Sequence, residues 1–245
     1  MKNFSIILST VAVILAAVAI VSTNKTKAAN EGAAISAEQV SAVLTQNPKI
    51  IADAMQAYEN LQREEAEKAA QAALQAHATE LNSDAGLPFV GPKDAKVTVV
   101  EFFDFSCGYC KRLAPSVEKI IADNADVKVI FKPLSFVSKV SGYQAKAGLA
   151  VSKQGKFLDF YKKVMDYKGA PMTEETVDGI AQSVGVDMDQ YKKDLASADV
   201  EKALSSVSSL ARDISVNGVP MVFVNVKHVP AMSPEPIQEA INAAK

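Results

Sequence analysis

The sequence predicts an α/β protein with a helical domain inserted in its middle and a helical stalk ahead of it. Residues 97–105 and 127–131 are β-branched and aromatic runs separated by a helix-forming segment, the pattern of parallel strands joined by a right-handed crossover. Three amphipathic stretches follow between residues 157 and 214. A short strand at 221–225 and a return strand at 227–229 precede a last helix opened by Ser233-Pro234. The order is strand–helix–strand, helical block, strand–strand–helix.

At the N-terminus, Lys2 precedes an uncharged run of apolar and small residues over positions 4–21, and a polar stretch covers 22–30. This is the form of an export signal, with Thr26 and Ala28 framing a cleavage after Ala28. The run is longer than the ~7–15 residues of an ordinary signal core and approaches the ~20 that span a bilayer. An uncleaved anchor is therefore the alternative, and either form places the rest of the chain in the periplasm or cell envelope. The 26 basic and 28 acidic side chains nearly balance, and three of the lysines lie in residues 1–28. The remainder is mildly acidic, without a basic block, which excludes a strong electrostatic grip on nucleic acid.

The stalk is assigned to residues 29–86. Ser36-Ala37-Glu38-Gln39 has the form of a capping box. Val40, Leu44, Asn47, Ile51, Ala54, Tyr58 and Leu61 then recur at alternating spacings of four and three, the seam of a coiled coil. Pro48 cannot sit inside a helix, so Asn47-Pro48 ends one helix and opens another. From 62 to 81 the chain is rich in Ala, Glu, Gln and Lys, helical by propensity but with little to bury. A linker folded on its own domain is the bland reading; an apolar face over residues 36–61 that meets copies of itself, giving a dimer or trimer, is the sharper one.

Residues 82–94, with Gly86, Pro88, Gly91 and Pro92, mark a boundary, and the domain at 87–245 carries its helical insertion at about 138–216. Phe157, Phe160, Tyr161, Val164 and Met165 form one helix face; Val177, Ile180, Ala181 and Val184 another; Val200, Ala203, Leu204, Val207, Leu210 and Ile214 a third. Asn217-Gly218 is the expected stop of that last helix.

The chain has two cysteines, Cys107 and Cys110, where the first strand gives way to a helix. The thiolate is the nucleophile, and in such motifs the first cysteine's pKa falls to about 3.5–7.5. Cys107 at the start of the helix faces unsatisfied N–H groups and the positive end of the dipole; Cys110, one turn on, keeps its proton. Cys107 is thus the expected attacking sulfur and Cys110 the resolving one. A structural disulfide would be expected to join distant segments. A zinc site needs about four ligands, and the chain adds only His77 and His228; paired motifs from two chains leave metal binding open.

The run Cys107-Gly-Tyr-Cys-Lys-Arg-Leu-Ala-Pro115 resembles the thioredoxin superfamily, including a proline within the active-site helix. The strand before it and the helical block resemble the DsbA branch, from about residue 91 to the C-terminus, and the N-terminal helices are similar to the oligomeric ScsC and Com1 group. The resemblance implies a thioredoxin fold and a protein thiol-disulfide oxidoreductase without cofactor or metal. It implies that Val219-Pro220 is a cis-proline pair, the proline packing on the disulfide and the Val219 backbone pairing with substrate, alongside Gly108 and Tyr109 between the cysteines. A trans proline at a strand start is the alternative. Glu101 matches a buried acid that relays protons to Cys110; the alternative is a solvent-facing glutamate. Phe223-Val224-Asn225 resembles a family hairpin in which Val226 replaces the usual glycine, so the turn there is expected to be longer or differently shaped.

Expected clients are unfolded or misfolded exported proteins with disulfides, and a membrane redox partner resets the thiols. Gly108-Tyr109 is the dipeptide of the dimeric isomerase DsbC, whereas valine before the proline is the residue of the oxidase DsbA. With the stalk, the balance leans to an isomerase or a bifunctional enzyme; a DsbA-type oxidase and a non-enzymatic copper-binding or chaperone scaffold are the alternatives.

Overall fold

The computed structural model describes residues 35–245; the expected signal or anchor at 1–28 lies outside them. Two compact units meet in sequence between Gln62 and Arg63.

The first holds α1 (Ala37–Gln46) and the start of α2 (Pro48–Ala76). The capping box forms: Gln39 N–H donates to Ser36 Oγ at 3.3 Å and Ser36 N–H to Gln39 Oε1 at 3.0 Å. Asn47 closes α1 by donating to Val43 O, and Pro48 opens α2. No residue of α1 is buried, and Ile50, Ile51, Met55, Tyr58 and Leu61 on α2 are exposed. Ile35, Val40, Leu44 and Ile51 line an open groove of about 820 Å³.

The second unit takes in the end of α2 and α3 (Ala78–Leu81). Here the structure differs from the sequence reading, which found little to bury over 62–81: Leu74 and Leu81 are buried in the core. Two leucines in an alanine-rich helix suffice to seat it, because a single buried leucine contributes about 1.5–3 kcal/mol.

The sheet runs β1 (Phe89–Val90), β3 (Val127–Pro133), β2 (Val97–Phe103), β4 (Met221–Val224), β5 (Lys227–Val229). β2 and β3 are parallel, joined through α4 (Gly108–Asp123), and the other pairs are antiparallel. Every residue of β2 and β3 is buried, so both faces of the sheet are covered. On one face Val97, Val99 and Phe103 meet α4 and the helical block; on the other Val100, Phe102 and Ile130 meet Leu74, Leu81 and Leu210. β1 is two residues in a glycine- and proline-rich stretch, too short to show a period in the sequence.

The insertion comprises α5 (Ser141–Ser152), α6 (Phe157–Met165), α7 (Glu174–Ser183), α8 (Met188–Leu195) and α9 (Ala198–Asp213), and α10 (Pro234–Ala244) closes the chain. The three expected faces lie on α6, α7 and α9. Neither α5 nor α8 was legible: α5 is buried on most sides, so its apolar residues show no stripe, and α8 is mostly polar. α9 ends at Asp213, four residues before Asn217, with Ile214 as its C-cap and Ser215 in the left-handed region at φ 59°. The β4–β5 turn is only two residues, because Val224 pairs with Lys227. Asn225, at φ 53°, supplies the left-handed residue expected of glycine, and its side chain accepts from Thr98 N–H at 2.9 Å.

Candidate active site

The site is built where β2 hands over to α4. Cys107 is the N-cap of α4, one residue before the helix proper, with extended backbone angles. Its own N–H donates to Asp104 O at 2.9 Å, and its carbonyl accepts from Lys111 N–H at 3.0 Å. Both thiols are free. Cys107 retains 7 % exposure while Cys110 has none, so the first cysteine is the less enclosed of the two. Pro115 within α4 has no N–H to give the Lys111 carbonyl.

Across from Cys107 stands the Val219–Pro220 pair, whose peptide bond is cis. The Cys107 Sγ–H donates to Val219 O at 3.4 Å, which joins residues 112 positions apart. Tyr109 is exposed, with the Arg112 guanidinium 4.1 Å above its ring centre. Gly108, which opens the helix, stands between it and Cys107.

Glu101 points to the same face of β2 as the core beneath Cys110 and is fully buried. The solvent-facing alternative does not occur. Burial pushes its carboxyl up to about 8, and the Tyr161 hydroxyl, donating to Oε2 at 3.1 Å, pulls against that rise. Burial likewise drives the Cys110 thiol far above its ordinary value, the Glu101 charge adding to the effect. Cys110 therefore keeps its proton at rest.

Two supporting residues escaped the sequence reading. Tyr161 was seen only as part of an apolar helix face; its ring packs on Phe103 and Phe131 at 5.5 and 5.0 Å, which aims the hydroxyl at Glu101. Asp104, fully buried, accepts from the N–H groups of Ser106, Phe136 and Val137 at 2.8, 3.0 and 3.0 Å and from the Ser141 hydroxyl at 2.8 Å. An aspartate between two phenylalanines at a strand end was the available signal.

Chemically, the arrangement offers one cysteine less enclosed than the other, a second thiol that burial keeps protonated, a buried carboxyl and a backbone carbonyl beside the first sulfur. Among the described residues no group of three or more His, Cys, Asp or Glu side chains converges as a metal site.

A family model for thioredoxin matches residues 83–243. A probable disulfide bond formation protein D of Bacillus cereus is 33 % identical over 148 residues, covering 56 % of this chain and 68 % of that protein. A thioredoxin-like oxidoreductase of Silicibacter pomeroyi superposes with TM-score 0.62 at 30 % identity, over 67 % of this chain and 95 % of its own. ScsC of Proteus mirabilis, in a transitional conformation, gives TM-score 0.63 at 30 % identity over 84 % and 93 %. A sodium/proton antiporter of Salinispora arenicola also matches, but the chain spans only 24 % of its length.

Proposed function

Because the chain belongs to the thioredoxin family, as a thiol-disulfide oxidoreductase of the DsbA and ScsC type, we propose that it exchanges disulfides with unfolded or misfolded exported proteins and works chiefly as an isomerase or a bifunctional isomerase and oxidase. The observation that carries the exchange chemistry is the contact of Cys107 Sγ with the Val219 carbonyl. A client strand pairing with that backbone brings its own sulfur to Cys107.

In the proposed cycle the Cys107 thiolate attacks one sulfur of a client disulfide, and the other client sulfur leaves as thiolate. Cys110 then loses its proton to the Glu101 carboxylate and attacks Cys107 Sγ. The Cys107–Cys110 disulfide forms and the client sulfur is released. In isomerisation a client thiol attacks the mixed disulfide first, returning Cys107 as thiolate with no net change of oxidation state. Tyr109, Phe136 and Val137, all exposed, give an apolar surface suited to unfolded chains, with Gly108 leaving room at the sulfur.

The lean toward isomerisation rests on α1 and the start of α2, where Val43, Ile50, Ile51, Met55, Tyr58 and Leu61 are exposed. We assign that face to self-association into a dimer or trimer, which presents several thiols to one misfolded chain at high effective concentration. The oxidase reading is favoured by Val219, the residue of DsbA before the cis-proline; a membrane redox partner then supplies the oxidising equivalents. Residues 1–28 are assigned to export into the periplasm or cell envelope. Among the described residues no helix is long and apolar enough to cross a membrane.

Refolding of a scrambled disulfide protein by the full-length mature chain, compared with a chain starting at Arg63, tests this. Loss of isomerase activity with dithiol oxidation retained supports the assembly argument, and equal activity of both forms rejects it. Cys110→Ser should accumulate covalent client adducts; their absence would reject exchange itself.

A further inference from the structure

Next to the thiol loop, lined by Ser106 directly before Cys107, a pocket of about 410 Å³ opens between the first turn of α4 at Lys111 and the 167–172 loop. Nothing in the exchange cycle uses it. Its polar wall is Ser106, Lys111, Ser138, Lys139 and Gln144, its apolar wall includes Met172, and no acidic side chain lines it.

The wall is organised from within. Ser106 Oγ donates to Gln144 Oε1 at 2.7 Å and shares a second hydrogen bond with Ser138 Oγ at 2.8 Å. Gln144 is 1 % exposed, yet its amide nitrogen donates only to the Met172 sulfur, at 3.1 Å. A thioether is a weak acceptor, so a nearly fully buried amide faces the pocket with its donor capacity poorly met. Lys111 Nζ reaches the Tyr167 carbonyl at 3.5 Å, which holds its charge against the far wall. Neither Lys111 nor Lys139 has a carboxylate within ion-pair distance among the described residues. Two unpaired cations, a donor without a good acceptor and no acid together describe a receptor for a carboxylate.

We propose that this pocket is a client subsite that takes an aspartate or glutamate side chain close in sequence to the client cysteine engaged by Cys107. The proposal rests on the exchange reading above. Ser106 directly precedes Cys107, so an occupant of the pocket and a sulfur on Cys107 belong to neighbouring residues of one client strand, about 3.3 Å apart per residue when extended. An acidic neighbour then speeds encounter and holds the client during rearrangement.

The test uses the full-length mature chain carrying Cys110→Ser, with short peptides whose single cysteine is disulfide-bonded to thionitrobenzoate. Cys107 thiolate attacks the peptide sulfur, the Cys107–peptide disulfide forms, and coloured thionitrobenzoate leaves. Peptides carry Glu, Gln or Lys one or two residues to either side of the cysteine. At low salt the best acidic peptide should react roughly three- to ten-fold faster than its Gln counterpart, and the Lys peptide slowest. The acidic-to-neutral ratio should fall toward one in Lys111→Gln/Lys139→Gln and at high salt, and persist in a control variant at the remote Lys192→Gln. Equal rates for Glu and Gln peptides at every position overturn the subsite while leaving exchange intact. So does a Glu preference that survives the double lysine variant. No reaction with any peptide overturns the exchange reading and the subsite with it.

Discussion

The Tyr161 hydroxyl donates to Glu101 Oε2 at 3.1 Å in an interior where neither residue reaches water. This bond links the helical insertion to the central strand, and it opposes the rise that burial imposes on the Glu101 carboxyl.

Stability should depend on pH through Glu101. Its folded pKa, about 8, lies above the ordinary carboxyl value of 4.5, so between those limits the native state holds a proton that the unfolded chain has lost. The contribution is therefore present in full at acid pH and is lost as pH rises from about 4.5 to about 8, at up to ~1.4 kcal/mol per unit. Glu101→Gln lacks this slope. Denaturant titrations of both proteins at pH 5, 6.5 and 8 should diverge in favour of the variant; parallel curves would show that Glu101 does not titrate as described.

Tyr161→Phe removes the one hydrogen bond that holds Glu101 down, so the acid should titrate above about 8. The pH midpoint of the resolving step, read as release of peptide from the mixed disulfide, should move upward by a fraction of a unit to one unit. A purely structural tyrosine would change stability and leave that midpoint where it was.

Asp104 ties the Phe136–Ser141 segment to the thiol loop through three accepted hydrogen bonds and accepts a fourth from Ser106 within the loop. Asp104→Ala strands three N–H groups and a hydroxyl, at a cost of about 3–5 kcal/mol. Amide exchange at Phe136 and Val137 should quicken along with the drop in denaturation midpoint. A loss under about 1 kcal/mol would mean that water replaces the carboxylate at little cost.

Two truncations should behave differently. A chain starting at Arg63 keeps Leu74 and Leu81 and should unfold with nearly the full-length midpoint. One starting at Leu87 strips both leucines from Val100, Phe102 and Ile130 and removes Glu80 O and Ser83 O, the acceptors of buried Lys132 Nζ. Losing two buried leucines costs at least about 4 kcal/mol, so this shorter chain should be unstable or insoluble. Equal midpoints would show that residues 63–86 contribute no core.

The sequence by itself determined the parts whose information is local. Cys107 and Cys110 are one helical turn apart, Ser36 and Gln39 are a capping pair, and the apolar runs of β2 and β3 are unbroken, so each could be placed by short-range rules. The family resemblance extended that reach to Glu101 and the Val219–Pro220 pair. Tertiary structure decided what depends on distant partners: which side of the sheet Leu74 and Leu81 fill, how Tyr161 meets Glu101 across 60 positions, and how Asp104 finds a loop 32 residues on. A buried carboxylate and an exposed one have the same letter. What distinguishes them is the loss of water around the side chain and the donors that replace it, and both are set only when the chain has closed on itself.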